Sequence, residues 1–159
     1  MSAQKPRIVL DCMVFLQAAA REKSPARRCL RLAEEHKVQL FISRKIIAEV
    51  REVLSREKIR RRFDALTDES VAVFIKRVWQ AADFVRTAPD HFDYSKRDPK
   101  DEPYINLAIE VAADYLVSRD NDLLDLMDWN REAGREFQKR FRFLQIVTPE
   151  DFLSKMDKV

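Results

Sequence analysis

The sequence predicts an α/β fold: three layers, α/β/α, around a central parallel sheet of about five strands. Three observations predict it. Short apolar runs rich in β-branched and aromatic residues alternate with longer segments whose apolar residues recur at spacings of three and four. Helix-start signatures, Ser24-Pro25 and Thr148-Pro149 among them, fall between those two kinds of segment. A single glycine, Gly134, leaves little material for the left-handed turns of hairpin-rich all-β folds, and it excludes glycine-rich phosphate loops. At 159 residues the chain is one domain by size, residues 1–159. A chain of that length buries roughly 70% of its unfolded-state surface.

Ile8-Val9-Leu10 is the first strand and ends at Asp11; residues 12–20 follow as a short helix. Ser24 caps, and Pro25 opens, a helix to about His36. Val38 to Ile42 is the second strand, after which Ser43 caps a helix carrying Ile46, Ile47, Val50, Val53 and Leu54 on one arc. Glu52 lies nearly opposite the centre of that arc, whereas Glu49 sits at its margin beside Ile46 and Val53. Thr67 or Asp68 starts the next helix, where Val71, Phe74, Ile75, Val78 and Trp79 share a face, so Trp79 reads as core. Phe84-Val85 is the third strand, and residues 86–100 form a long polar connection with Pro89 and Pro99. Asp101 leads a helix with so little polar face that burial is expected, and Tyr115-Leu116-Val117 follows as a central strand. Ser118-Arg119-Asp120-Asn121-Asp122 then leads into a short Leu123-Leu124 helix. Residues 128–140 read as a charged, partly helical insertion around Gly134, Phe143 to Val147 as the final strand, and Thr148-Pro149 as the start of the last helix.

Thirty Lys and Arg against 27 Asp and Glu leave a formal net charge of +3, too little for a strongly basic nucleic-acid coat. The charge is clustered, however, in Arg51, Arg56, Lys58, Arg60, Arg61 and Arg62. A solvated helix face is the ordinary meaning of such a run. The sharper meaning is a patch for phosphates or a protein partner. Cys12 and Cys29 suggest no disulfide framework and read as buried thiols. Residues 8–20 look like a signal-peptide core, yet Asp11 inside the run argues against secretion. No apolar stretch approaches the ~20 residues needed to span a bilayer. The expected location is the cytoplasm, with no membrane partner.

Four acids carry the functional argument: Asp11, Glu49, Asp101 and Asp120 stand just past apolar runs or at the head of a buried helix. Right-handed crossovers gather the strand ends that precede helices on one sheet edge, where ligands of such sheets bind. Carboxylates brought together disfavour each other's ionisation unless a cation neutralises them. The cluster therefore reads as a site for Mg²⁺ or Mn²⁺, which prefer carboxylate and water oxygens. N-capping is the competing reading for Asp11, Asp101 and Asp120. It explains the set less well, because Ser, Thr and Asn cap as readily and Glu49 lies inside a helix. His36 and His91 have no partner at ligand spacing and read as surface or structural residues.

Taken in order, strand-Asp11, Ser43 through Glu49, Asp98-Pro99-Lys100-Asp101-Glu102-Pro103 and Tyr115 through Leu124 resemble the PIN-domain family, named for the PilT N-terminus. The likeness is strongest to its VapC-type, toxin-like ribonucleases, and Ile146 to Leu153 is similar to that family's closing strand and helix. The resemblance covers nearly the whole chain and implies a Mg²⁺- or Mn²⁺-dependent endoribonuclease acting on single-stranded RNA. It also implies a toxin held by an antitoxin protein, and a homodimer. Carried over by position, Asp11, Glu49, Asp101 and Asp120 are the metal-site acids, Asp122 an accessory ligand, and Ser118 a hydroxyl that orients the site. Arg60, Arg61 and Arg62 are then candidates for contacting RNA or the partner.

One position departs from the pattern. Family members usually carry Asn two residues after the first aspartate, where this chain has Met13, and a thioether cannot replace an amide as donor or acceptor. Two other readings follow. One is a weakened PIN-like scaffold that binds RNA or a protein, with Met13 facing the core as the benign case. The other is a different carboxylate-and-Mg²⁺ α/β domain, a phosphoacceptor or an aspartate-nucleophile phosphatase. Those phosphatases carry a second aspartate at the position of Met13, and phosphoacceptor domains lack a helical acid like Glu49.

Overall fold

The computed structural model describes residues 4–86, 91–92 and 99–158. Most of the polar connection, Asp98 included, lies outside the described residues. Strand β1 (Arg7–Leu10) feeds helices α1 (Cys12–Ala20) and α2 (Pro25–Glu34); β2 (Gln39–Ser43) feeds α3 (Arg44–Ser55), α4 (Glu57–Arg62) and α5 (Asp68–Ala81). Then come β3 (Ala82–Val85), α6 (Glu102–Glu110), β4 (Tyr115–Val117), α7 (Asn121–Leu124), α8 (Glu132–Arg140), β5 (Gln145–Val147) and α9 (Pro149–Asp157). The strands form one parallel sheet in the order β3-β2-β1-β4-β5, sandwiched in a three-layer α/β/α arrangement. No described helix is long and apolar enough to cross a membrane.

The order has one reversal, at β1, from which the chain builds first toward β3 and later toward β5. Leu10 pairs with Val117 across the β1–β4 seam, so the residues just past each strand, Asp11 and Ser118, emerge side by side. Ile8, Val9, Leu10, Leu116 and Val117 are fully buried, as continuous apolar strands covered on both faces require. Helix α6 packs against β1, β2 and β4 and buries Tyr104, Ile105, Leu107 and Ala108. Removing a side chain such as Leu10 from this layer costs roughly 2–5 kcal/mol.

Several expectations are corrected. Trp79 is not core: it is 41% exposed and stacks on Phe84 at 4.9 Å, because β3 is an edge strand and the apolar arc of α5 outruns the sheet beneath it. Tyr115–Val117 is interior to the sheet as expected, between β1 and β5, but Phe143 lies outside β5, 46% exposed. The basic stretch is not one helix face, since Arg56 adopts extended backbone and splits α3 from α4. Gly134 lies within α8, in the segment expected to be partly helical, and serves close approach: a Cβ there would stand 2.1 Å from the carbonyl oxygen of Asp128.

Candidate metal centre

The site begins with local hydrogen bonding at two strand ends. Asp11 caps α1, its Oδ1 accepting from the Val14 N–H at 3.0 Å. Its Oδ2 accepts from the buried Ser118 hydroxyl, and the same Oγ accepts from the Asp120 N–H at 2.9 Å. Ser118 thus ties the end of β1 to the turn after β4. Asp120 in turn caps α7, accepting from the Asp122 N–H at 2.9 Å, which folds the two carboxylates into one turn.

Asp101 closes the site from the head of α6. It makes no capping hydrogen bond there, so its buried carboxylate is not explained by helix capping. Carboxylate oxygens of Asp101, Asp120 and Asp122 all lie within 4.8 Å of one another. Oxygens sharing one Mg²⁺ at about 2.0–2.1 Å stand at most about 4.2 Å apart. The trio is thus spaced on the scale of one ion's coordination sphere, and its all-oxygen donors suit a hard cation. Asp122, expected as an accessory, stands inside the tight trio, whereas Asp11 and Glu49 stand outside it. The sequence offered one signal for this: an Asx turn places a residue two positions on beside its own cap.

Asp11, Glu49, Asp101 and Asp120 nonetheless line one cavity of about 840 Å³ at the carboxyl edge of the sheet. Burial raises the Asp11 carboxyl to a pKa of about 6, the Asp120 charge adds to the rise, and the bonds from Ser118 and Val14 oppose it. Half-buried Glu49 projects from α3 toward Cys12 and Tyr104. Burial, chiefly, and the negative charges of Glu49 and Asp11 push the Cys12 thiol up to about 12, so it stays protonated. Cys29 is fully buried, but Cys12 is only half-buried and belongs to this cavity wall. The Tyr104 phenol is held protonated by burial, with Cys12, Glu49 and Asp11 adding to the effect. Its buried hydroxyl makes no hydrogen bond of normal geometry among the described residues.

Met13 does not face the core; it is 48% exposed and lines the cavity next to Asp11, because the first turn of α1 turns it outward. Of the three arginines proposed for RNA or a partner, Arg62 alone lines the cavity. Arg60 donates to the Leu54 carbonyl and pairs with Asp68, and Arg61 pairs with Glu57. Arg56 of the same basic stretch also reaches the cavity, and sequence reasoning missed Arg21 and Arg119, which line it too. Arg119 braces α1 to α9 through Gln17 (2.6 Å) and Glu150, whose carboxyl it holds below its usual range. His91 bonds Glu110 at 2.7 Å, and His36 is exposed, with left-handed backbone (φ 59°). Neither lines this cavity.

An uncharacterized protein of Methanocaldococcus jannaschii is 25% identical to this chain over 154 residues, covering 97% of this chain and 94% of its own length. The family model described as PIN domain matches residues 7–122, a stretch that opens with β1 and closes on Asp122, so every site acid lies within it. With most of its length matched, the chain belongs to the PIN-domain family.

Proposed function

We propose that the protein is an endoribonuclease that cleaves single-stranded RNA with Mg²⁺ or Mn²⁺ held by its carboxylate cluster, and that it is the toxin of a toxin–antitoxin pair. PIN-domain membership itself implies a hydrolase of the nuclease type. The observation that carries the finer reading is the convergence of Asp101, Asp120 and Asp122 within 4.8 Å, in a cavity also lined by Asp11 and Glu49. A divalent ion bound there would lower the pKa of its water and neutralise charge growing on a phosphodiester. The chain's own part is positioning. Ser118 fixes the Asp11 carboxylate and the Asp120 backbone together, Asp120 holds Asp122 in its turn, and Glu49 supplies a carboxylate from the facing helix. Arg21, Arg56 and Arg62 stand around the same cavity with charge suited to flanking phosphates.

Purified protein with Mn²⁺ should cleave single-stranded RNA, and Asp120→Asn should lower the rate roughly 100-fold or more, the scale of losing one preorganised electrostatic group. Undiminished cleavage by that variant would remove the assignment. A cytoplasmic location, an antitoxin protein and a second copy of the chain complete the reading. The exposed Trp79, Phe84 and Val73 supply apolar surface for such a homodimer. Met13 supports a second reading, a weakened site that binds RNA without cutting, since its thioether occupies the cavity where the family's usual amide would bond. Restoration of activity in Met13→Asn would favour it.

A further inference from the structure

The cavity lining mixes two chemistries: beside its acids stand apolar side chains, Met13 and Leu16 of α1, Val53 of α3, Ile59 of α4, and Phe63. Phe63 ends α4, and its backbone is fixed on both sides, its N–H donating to the Ile59 carbonyl and its carbonyl accepting from Leu66, each at 3.0 Å. The guanidinium groups of Arg21 and Arg62 lie over its ring, 5.6 and 5.3 Å from the centroid, so a base reaches the ring face only as these exposed side chains swing off it onto phosphate. Both arginines follow or end a helix and are exposed. The volume of about 840 Å³ exceeds what an ion and one phosphodiester require. An exposed Met13 beside a buried carboxylate also has no packing role to explain it, since a core methionine would be covered.

An apolar, preordered aromatic wall with two guanidinium groups, next to phosphate-binding chemistry, matches the recognition of an unpaired base and its phosphate. We propose that Phe63 and Met13 form a nucleobase subsite. It takes one unstacked base of a single-stranded RNA adjacent to the phosphodiester at the acids, with Arg21 and Arg62 on the next phosphate. The subsite rests on the ribonuclease reading and adds to it a positioning role for residues outside the acid cluster. Stacking is tolerant of base identity, so the subsite sets strandedness and register more than sequence.

The test is an abasic scan. Single-stranded RNA oligonucleotides, each lacking one base at a different position, are titrated in Ca²⁺ against the wild type and against Phe63→Leu and Phe63→Trp. Removal of one particular base should weaken wild-type binding about tenfold, the scale of one stacked base. In Phe63→Leu, which keeps apolar volume, that penalty should vanish, and in Phe63→Trp it should return. With Mn²⁺, Phe63→Leu should raise KM for the intact oligonucleotide and spare kcat. A flat abasic profile from a wild type that still cleaves RNA overturns the subsite alone. A wild type that neither binds nor cleaves RNA overturns the ribonuclease reading, and the subsite with it. An abasic penalty unchanged in Phe63→Leu assigns the base to other residues and overturns the role of Phe63.

Discussion

Two sets of helix N-caps in this molecule do the same local work with different chemistry. Ser24, Ser43, Thr67 and Thr148 cap α2, α3, α5 and α9 with neutral hydroxyls, each accepting from the N–H three residues on. Asp11 and Asp120 cap α1 and α7 with carboxylates. Capping accepts either chemistry at similar benefit, so the hydrogen bond does not explain the choice. The carboxylates occur at the β1–β4 seam, where the fold sets them close together and burial raises the pKa of Asp11. Charge placed where it is least comfortable implies a requirement other than stability, and a cation site supplies one.

The comparison breaks most visibly at Ser118, the hydroxyl joining the two acidic caps. Ser118→Ala should lower metal-dependent cleavage roughly 10- to 100-fold, the scale seen when a group orienting a ligand is lost. Steady-state rates across a Mn²⁺ titration measure this, and an unchanged rate would leave the acids independent of their bridge.

Next in size is the stability cost of the Asp11 charge. Its pKa in the folded protein is about 6 against an ordinary 3.8, so the native state holds the proton more tightly than the unfolded chain. Ion-free stability should then fall as pH rises from about 4 to above 6, with the full penalty present at neutrality. Asp11→Asn, in chelator at pH 7, should be more stable by on the order of 1–3 kcal/mol and should lack the upward Tm shift expected when Mn²⁺ is added to the wild type. Calorimetry at two pH values reads both effects, and a variant less stable than wild type at pH 7 would contradict the argument.

The neutral caps sharpen the contrast with the smallest effect. Thr67→Ala breaks the reciprocal pair with Ser70 and should cost about 1 kcal/mol of stability. Cleavage should not change, because Thr67 lies outside the cavity. A cleavage loss out of proportion to unfolding would mean that cap chemistry does not divide as described.

Much of this was legible in the residues. The β-branched runs gave all five strands, Pro25 and Pro149 marked two helix starts, and the order of acids placed them on one edge. What escaped depended on what stands across from a residue. Periodicity put Trp79 on the apolar arc of α5, but nothing local says that the sheet ends at β3. The run of arginines hid a backbone break at Arg56, after which Arg60 bonds the Leu54 carbonyl and exposed Asp68 while Arg62 reaches the cavity. Ser118 was anticipated as an orienting hydroxyl, yet its simultaneous bonds to Asp11 and Asp120 depend on strand pairing more than 100 residues apart in sequence. Gly134 falls in the segment read as partly helical, but the reason for a glycine there is the approach of the Asp128 carbonyl, which no local pattern reveals.

The seam between β1 and β4 carries a further meaning for how the chain matures. Slipping either strand by a single residue would part Asp11 from Ser118 and turn inward-facing side chains to the opposite face. A misaligned chain could still collapse, but it would not assemble the pocket and so would gain nothing from a dication. Ion uptake would then act as a proofreader of strand alignment, favouring correctly threaded molecules over their near misses.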